Sequence, residues 1–346
     1  MKISVAMCTY NGSAFLAEQL DSIAAQTRPP DEVVVCDDRS TDATAEIVNG
    51  FAAKSPFPVR FVVNEINLGV VGNFEKAISL CTGDIIALSD QDDVWMPEKL
   101  AIFEREFNQK PHLGFVFTDG EIVDERLNSL NRQVWDYFFT KSKQRLFEQG
   151  RQIDVLLWTN TVTGATAALR AELKTRLIPL PADAEFIHDG WIALLAACHS
   201  HVSFVPQPLI KYRQHGNQQC GLPKRSDKPD QNLSLKEQHR KTLDSLHARV
   251  RALQAALDFC SQRQSEEQSE TEKPAVSLKP LETAKNELSR VIGELEEMIK
   301  HLERRTALPA SRLQRLKIVS NELLAGNYSR YSKGVGSAIK DLLEAS

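Results

Sequence analysis

Apolar and polar positions along the first quarter of the chain follow two rhythms. Residues 3–7 and 59–63 alternate with the period of a strand, and 32–36 and 85–88 are short apolar runs. The run Val33-Val34-Val35 predicts a strand covered on both faces. Between these segments the apolar positions recur at helical spacing. Residues 14–25 carry Phe15, Leu16, Leu20 and Ile23 on one face, 41–51 have Asp42 in the first turn, and 72–80 form a third such stretch. Strand and helix in alternation predict an α/β fold with an open, mostly parallel sheet flanked by helices. In such sheets ligands bind beyond the carboxyl ends of the strands.

The rhythm changes near residue 235. Leu243, Leu246, Val250, Leu253 and Leu257 recur at 3–4 spacing, as do Leu281, Ala284, Leu288, Val291, Leu295, Met298 and Leu302. Two heptad seams predict a C-terminal helical hairpin. The intervening residues 261–280, rich in Ser, Glu, Gln, Lys and Pro, are expected to form a flexible loop. A third amphipathic stretch (Leu313, Leu316, Val319, Leu323) follows Pro309. Long apolar stripes are a liability when exposed, so the hairpin is expected to be buried within the chain or against a second copy.

The expected strand ends deliver polar residues to one edge. Ser89-Asp90-Gln91-Asp92-Asp93 sets three carboxylates within four residues. Uncompensated, they would repel one another. A hard divalent cation such as Mg2+ or Mn2+ takes oxygen ligands, so this cluster suits holding a metal against a diphosphate. The plain alternative is a solvated acidic loop, which the buried-looking run 85–88 disfavours. Asp37-Asp38 after the second strand is a weaker pair, because Asp also starts turns and caps helices.

Several motifs occur in order: Thr9-Tyr10-Asn11-Gly12, the 18–26 segment from Glu18 to Gln26, Asp37-Asp38-Arg39-Ser40-Thr41-Asp42, Asn67-Leu68-Gly69, Gly83-Asp84, and Ser-Asp-Gln-Asp-Asp-Val-Trp at 89–95. Together they resemble the N-terminal half of a family 2 glycosyltransferase, whose fold is termed GT-A. The Asp-Gln-Asp-Asp-x-Trp form is similar to a rhamnosyltransferase-like subgroup of bacterial polysaccharide transferases. Further on, Thr163-Gly164-Ala165-Thr166 and His188-Asp189-Gly190-Trp191 resemble the family segments that lead to its catalytic base. Tyr212-Arg213-Gln214-His215 is similar to a late Tyr-Arg-x-His-x-x-Asn segment, with Asn217 departing in spacing.

The resemblance implies roles for residues. Asp38 contacts the nucleotide base with Thr9 and Tyr10 beside it, and Asn11, Glu18, Asn67 and Gly69 belong to the same nucleotide-sugar site. Asp92 and Asp93 hold the metal and the ribose-diphosphate, with Asp93 the favoured direct ligand; Asp90 either ligates or supports a ligand. His215 completes the diphosphate or metal site, and Asp189 is the base. It also implies a dTDP- or UDP-linked donor, a glycan or lipid-linked acceptor in surface polysaccharide synthesis, and Mg2+ or Mn2+. On this reading 1–222 is a catalytic domain, with a nucleotide-sugar half at 1–110 and an acceptor half at 111–222, followed by a helical region at 235–346.

Composition narrows the alternatives. A net charge of −4 gives no global basic field for nucleic acid. Cys8, Cys36, Cys81, Cys198, Cys220 and Cys260 show no metal-ligand spacing and read as buried free thiols. With no signal peptide and no run of ~18 apolar residues, the chain is expected to be cytoplasmic or peripheral to the inner face of a membrane. Arg304, Arg305, Arg312, Arg315 and Lys317 make the C-terminal end locally basic, which raises an anionic membrane surface as a partner. A non-catalytic nucleotide-sugar-binding scaffold and a nucleotidyltransferase are the competing readings. The latter lacks its usual basic, glycine-rich loop here, and no GxGxxG follows the first strand to suggest a dinucleotide-binding oxidoreductase.

Overall fold

The structure, a computed structural model, describes residues 1–158, 160–180, 188–216, 218, 235–267, 278–309, 311–332 and 334–343. They divide into two compact units, one of 1–223 with 267–284, the other of 224–266 with 285–346.

In the first unit, β1 (Ile3–Thr9), β2 (Glu32–Asp37), β3 (Val59–Val63) and β4 (Ile85–Ser89) pair in parallel, in the order β3-β2-β1-β4. β5 (Val94–Trp95), β6 (Leu113–Val123), β7 (Ser129–Gln133), β8 (Ala167–Arg170) and β9 (His201–Arg213) continue the sheet as β4-β8-β6-β9-β5, with β7 on β6. β8 is antiparallel to both its neighbours, whereas β6 and β9 run parallel. The expected fold class holds. Val33, Val34 and Val35 are all fully buried, as a strand covered on both faces requires.

The helices α1 (Leu16–Ala24), α2 (Thr44–Ala52), α3 (Gly69–Leu80) and α4 (Lys99–Gln109) connect or follow the first strands. Two boundaries differ from expectation for reasons of capping. Residues 41–43 form a turn rather than helix, because the Asp42 carboxylate accepts from the Thr44 and Ser13 amides at 3.1 and 2.9 Å. α3 starts three residues before 72, because a carboxylate from the end of β2 satisfies its first amides. Shorter elements follow: α5 (Trp135–Phe138), α6 (Lys141–Glu148), α7 (Gln152–Trp158), α8 (Lys174–Leu177) and α9 (His188–His199). Cys8, Cys36, Cys81, Cys198 and Cys260 form no disulfide among the described residues, and Cys220 lies outside them. Burial pushes the Cys36 and Cys81 thiols up to about 11 and about 12.

The second unit is helical: α10 (Leu235–Glu267), α11 (Leu281–Thr306), α12 (Arg312–Leu324), α13 (Asn327–Tyr331) and α14 (Val335–Leu343). His247 of α10 approaches Glu303 of α11 at 3.9 Å, near the start of one helix and the end of the other, as in an antiparallel hairpin. Seam residues Leu246, Leu253, Leu288, Val291, Leu295 and Leu302 are buried. The loop expected over 261–280 is shorter than that: α10 continues through Glu267, and Leu278 bridges to Ser200. Residues 268–277 lie outside the described residues. The third stripe also needs correcting. Val319 is buried, but Leu313 and Leu316 are exposed, because the packed face of α12 is Arg315, Val319 and Glu322. Among the described residues no helix is long and apolar enough to cross a membrane.

These two outcomes give a paired prediction. Leu288→Ala, at a fully buried seam position, is expected to cost about 2–5 kcal/mol in urea unfolding followed by circular dichroism. Leu313→Ala is expected to cost less than about 0.5 kcal/mol. Equal costs would refute the assignment of faces.

Candidate active site

Four loops meet at the carboxyl ends of β1, β2, β3 and β4. The first and fourth are clipped together by Gln91, whose Oε1 accepts from the Tyr10 amide at 2.8 Å while its Nε2 donates to the Tyr10 carbonyl at 3.1 Å. A Cβ at Gly12 would lie 2.2 Å from the Gln91 Oε1, so a larger residue there would displace the Gln91 clip. Asn11 adopts φ 47°, and its side chain accepts from the Thr41 amide at 2.8 Å, tying the first loop to the second. The Thr9 hydroxyl donates to Asp37 at 2.8 Å. Tyr10 remains exposed.

Asp38 is buried, and both its oxygens are engaged. Oδ1 accepts from the Leu68 amide (2.7 Å) and Asn64 Nδ2 (2.9 Å), and Oδ2 accepts from the Gly69 amide (2.8 Å). The carboxylate therefore caps α3, as its charge suits a helix N-terminus. Asn67 supports the same turn, donating to the Asp38 carbonyl and accepting from Gly69, whose φ of 70° needs glycine. Of the acceptor positions a carboxylate offers, one on Oδ2 is left over.

The acidic cluster follows β4. Asp93 is fully buried; its Oδ1 accepts from the Arg213 amide at 3.1 Å and its Oδ2 has no hydrogen-bond partner. Burial pushes its carboxyl well above the ordinary range, and Asp92 and Asp90 push it further. Burial, then Asp92 and Asp189, raises Asp90 to about 8. Asp92 lies 2.9 Å from His215 Nε2. Glu18 pairs with the Arg213 guanidinium, which also donates to the carbonyls of Asp92 (2.7 Å) and Glu125 (2.5 Å) and lies over the Phe15 ring. Asp189, in the first turn of α9, is held by three donors: Asn160 Nδ2 (3.1 Å) and the Gly190 amide (2.7 Å) on Oδ1, and the Gly164 amide (2.9 Å) on Oδ2. Its charge reaches Asp90, and the Tyr212 hydroxyl is raised by burial and by Asp93, Asp90, Asp92 and Asp189 in turn. The expected base and the expected metal carboxylates thus share one electrostatic neighbourhood.

Whether a divalent cation fits can be judged from this donor set. An orphaned, fully buried carboxylate oxygen on Asp93 is a group that a cation or a proton must satisfy. The neighbouring donors, carboxylates and one imidazole, suit Mn2+ or Mg2+. Among the described residues no group of three or more His, Cys, Asp or Glu forms a ready cage. That is compatible with Mg2+-type sites, in which one or two carboxylates share the ion with substrate phosphates and water.

Three residues of this site have no role in the sequence reading. Lys99 is fully buried, its Nζ 2.5 Å from the Ala165 carbonyl and 3.6 Å from the Trp95 ring centre. Burial pulls its ammonium well below the usual lysine range, against the pull of Asp93 and Asp90. Arg213 stood inside a quoted motif without a function. His188 is buried, stacks on Phe74 at 3.9 Å, and has neither ring nitrogen hydrogen-bonded. A lysine just after an acidic cluster was the available signal for the first. Asn217 lies outside the described residues.

Comparison with known proteins points the same way. The model described as "Glycosyl transferase family 2" matches residues 4–174. Those residues are similar to that family along their whole length. An uncharacterized protein of Mycobacterium tuberculosis is 28% identical over 217 residues, 62% of this chain and 59% of that protein. The chain thus matches about three-fifths of the length of such relatives. An abequosyltransferase of Salmonella typhimurium is 28% identical over 157 residues, 39% of this chain and 47% of that protein. Among solved structures, S. aureus TarS in complex with UDP aligns with a TM-score of 0.53 at 19% identity, over 96% of this chain and 89% of that one. That likeness is one of fold.

The ion pair at the domain's edge is lopsided. Arg213 is 1% exposed and Glu18 56%. Arg213→Ala is expected to cost about 3 kcal/mol or more in denaturant unfolding, because carbonyls and a carboxylate lose a buried partner. Glu18→Gln should cost less than about 1 kcal/mol. A small loss for Arg213→Ala would show that this arginine does not organise the acidic edge.

Proposed function

We propose that the protein transfers a sugar from a nucleotide-diphosphate donor to a hydroxyl of a glycan or lipid-linked acceptor, with inversion. The observation that carries this is Asp189: a buried carboxylate fixed by three donors, with one acceptor position left on Oδ2, in the electrostatic neighbourhood of Asp90. A hydroxyl attacks poorly until its proton is taken, and a positioned carboxylate does this. The Gly164 and Gly190 amides hold Asp189 in one orientation. A Cβ at Gly164 would lie 2.8 Å from the His188 ring, and one at Gly190 would lie 2.7 Å from Asn160, so both glycines keep this support tight.

On the donor side, Thr9, Tyr10, Asn11, Asp38, Asn67 and Gly69 shape the nucleoside end. Tyr10 offers the exposed ring, and Asp38 acts mainly by building the turn into α3. Asp93, Asp92 and Asp90, with His215, would hold a divalent cation that neutralises charge developing on the leaving diphosphate. Glu18 serves this arrangement through Arg213. The resemblance to rhamnosyltransferase-like sequences favours a dTDP- or UDP-linked donor. A scaffold that only bound the nucleotide sugar would have no use for a carboxylate held as Asp189 is.

The test is turnover of Asp189→Asn, using whichever of the common nucleotide sugars the native protein hydrolyses or transfers in the presence of Mn2+ or Mg2+. Transfer is expected to fall at least ~10²-fold, with nucleoside-diphosphate binding by calorimetry unchanged. The amide cannot accept from both the Gly164 and Gly190 amides as the carboxylate does, so the melting temperature is measured alongside. Near-normal turnover in a folded variant would reduce Asp189 to a residue that braces α9.

A further inference from the structure

The two faces of α12 and α14 set up a surface that the reaction does not use. These helices meet around a small core of Val319, Tyr328 and Ala338. On the faces turned away from it, Leu313, Leu316 and Leu324 of α12, and Val335, Ile339 and Leu343 of α14, are between 51% and 87% exposed. At 3.6 residues per turn the three on α12 fall in one stripe. The three on α14 follow each other at i, i+4 and i+8. Six large aliphatic side chains exposed on two neighbouring helices are more than the scattered single residues of an ordinary surface.

The exposed charge that α12, α13 and α14 themselves carry has one sign, while Glu294 and Glu297 of α11 stand near Arg330. Lys333 and Glu344 lie outside the described residues; from 307 to 343 the described acidic residues are Glu322 and Asp341. Both are buried and turned inward. Glu322 lies 2.6 Å from His301 Nδ1 and also binds Arg304 and Asn327. Asp341 accepts from Arg305 Nε (2.6 Å) and the Tyr328 hydroxyl (2.6 Å). Among the described residues the exposed charges of this stretch are therefore Arg312, Lys317, Arg330 and Lys340, all cationic, of which Arg330 reaches Glu294 at 3.4 Å. Aliphatic stripes flanked by lysine and arginine, with Glu322 and Asp341 turned inward, match the chemistry of an anionic bilayer surface: acyl chains for the stripes and head groups for the cations.

We propose that α12, α13 and α14 are a docking surface for an anionic lipid bilayer. The inference does not depend on the reaction assigned above. It is tested by sedimentation of the full chain with vesicles of phosphatidylcholine alone and of phosphatidylcholine mixed with phosphatidylglycerol. Partitioning onto the mixed vesicles should exceed that onto the neutral ones at least ~10-fold and weaken with salt. Leu316→Glu with Ile339→Glu, both at exposed positions, should abolish binding without moving the melting temperature. Lys317→Glu with Lys340→Glu should abolish the preference for anionic lipid. Absence of binding, or equal binding to both vesicle types, overturns the proposal. So does sedimentation velocity showing that Leu316→Glu with Ile339→Glu turns a self-associated species into monomers, which would give the surface to a second copy of the chain.

Discussion

Burying like charges at one sheet edge is the constraint on which the rest of this structure depends. Asp93 is fully buried beside Asp90 and Asp92, and Asp189 adds a fourth carboxylate to the neighbourhood. Such a cluster persists only if donors and cations are placed against it. The chain supplies them from far along its length: the Arg213 amide on Asp93, the Arg213 guanidinium on the Asp92 carbonyl and Glu18, and Lys99 from the start of α4. β9 therefore must end beside β5, and the antiparallel register of Val94 with Lys211 delivers this. The compensation is incomplete, since one oxygen of Asp93 has no partner. A site left short of positive charge is suited to a ligand that brings its own.

Much of the first half was legible because its elements are local. Each of the first strands is an apolar run closed by polar residues, and the parallel register brings those closing residues to one edge. The acidic cluster was legible for the same reason. Asp38 shows where that reasoning stops. Its place at a strand end was readable, but that its carboxylate would cap a helix starting some thirty residues later was not. A cap between distant segments has no local periodicity. Lys99 and Arg213 were hidden likewise, because a buried cation reads in sequence as a surface one until its partners are known.

The C-terminal helices show a different limit. Heptad spacing correctly marked the faces of α10 and α11 that are buried. In α12 the same spacing picked out Leu313 and Leu316, yet the helix packs through Arg315, Val319 and Glu322. A polar network decided the orientation: Glu322 is needed by His301 and Arg304, and a buried carboxylate cannot turn outward without stranding its partners. Satisfying those charges inside leaves the apolar stripe and the cations outside.

The central claim is that the Asp90, Asp92 and Asp93 edge holds a divalent cation together with a nucleoside diphosphate. Calorimetric titration of UDP and dTDP, with and without Mn2+, tests it most directly when repeated on Asp93→Ala. The account predicts that Mn2+ strengthens binding of at least one of the two nucleotides to the native protein at least ~10-fold, with no such gain in the folded variant. Binding that is indifferent to Mn2+ in the native protein, or an equal gain in Asp93→Ala, would contradict it.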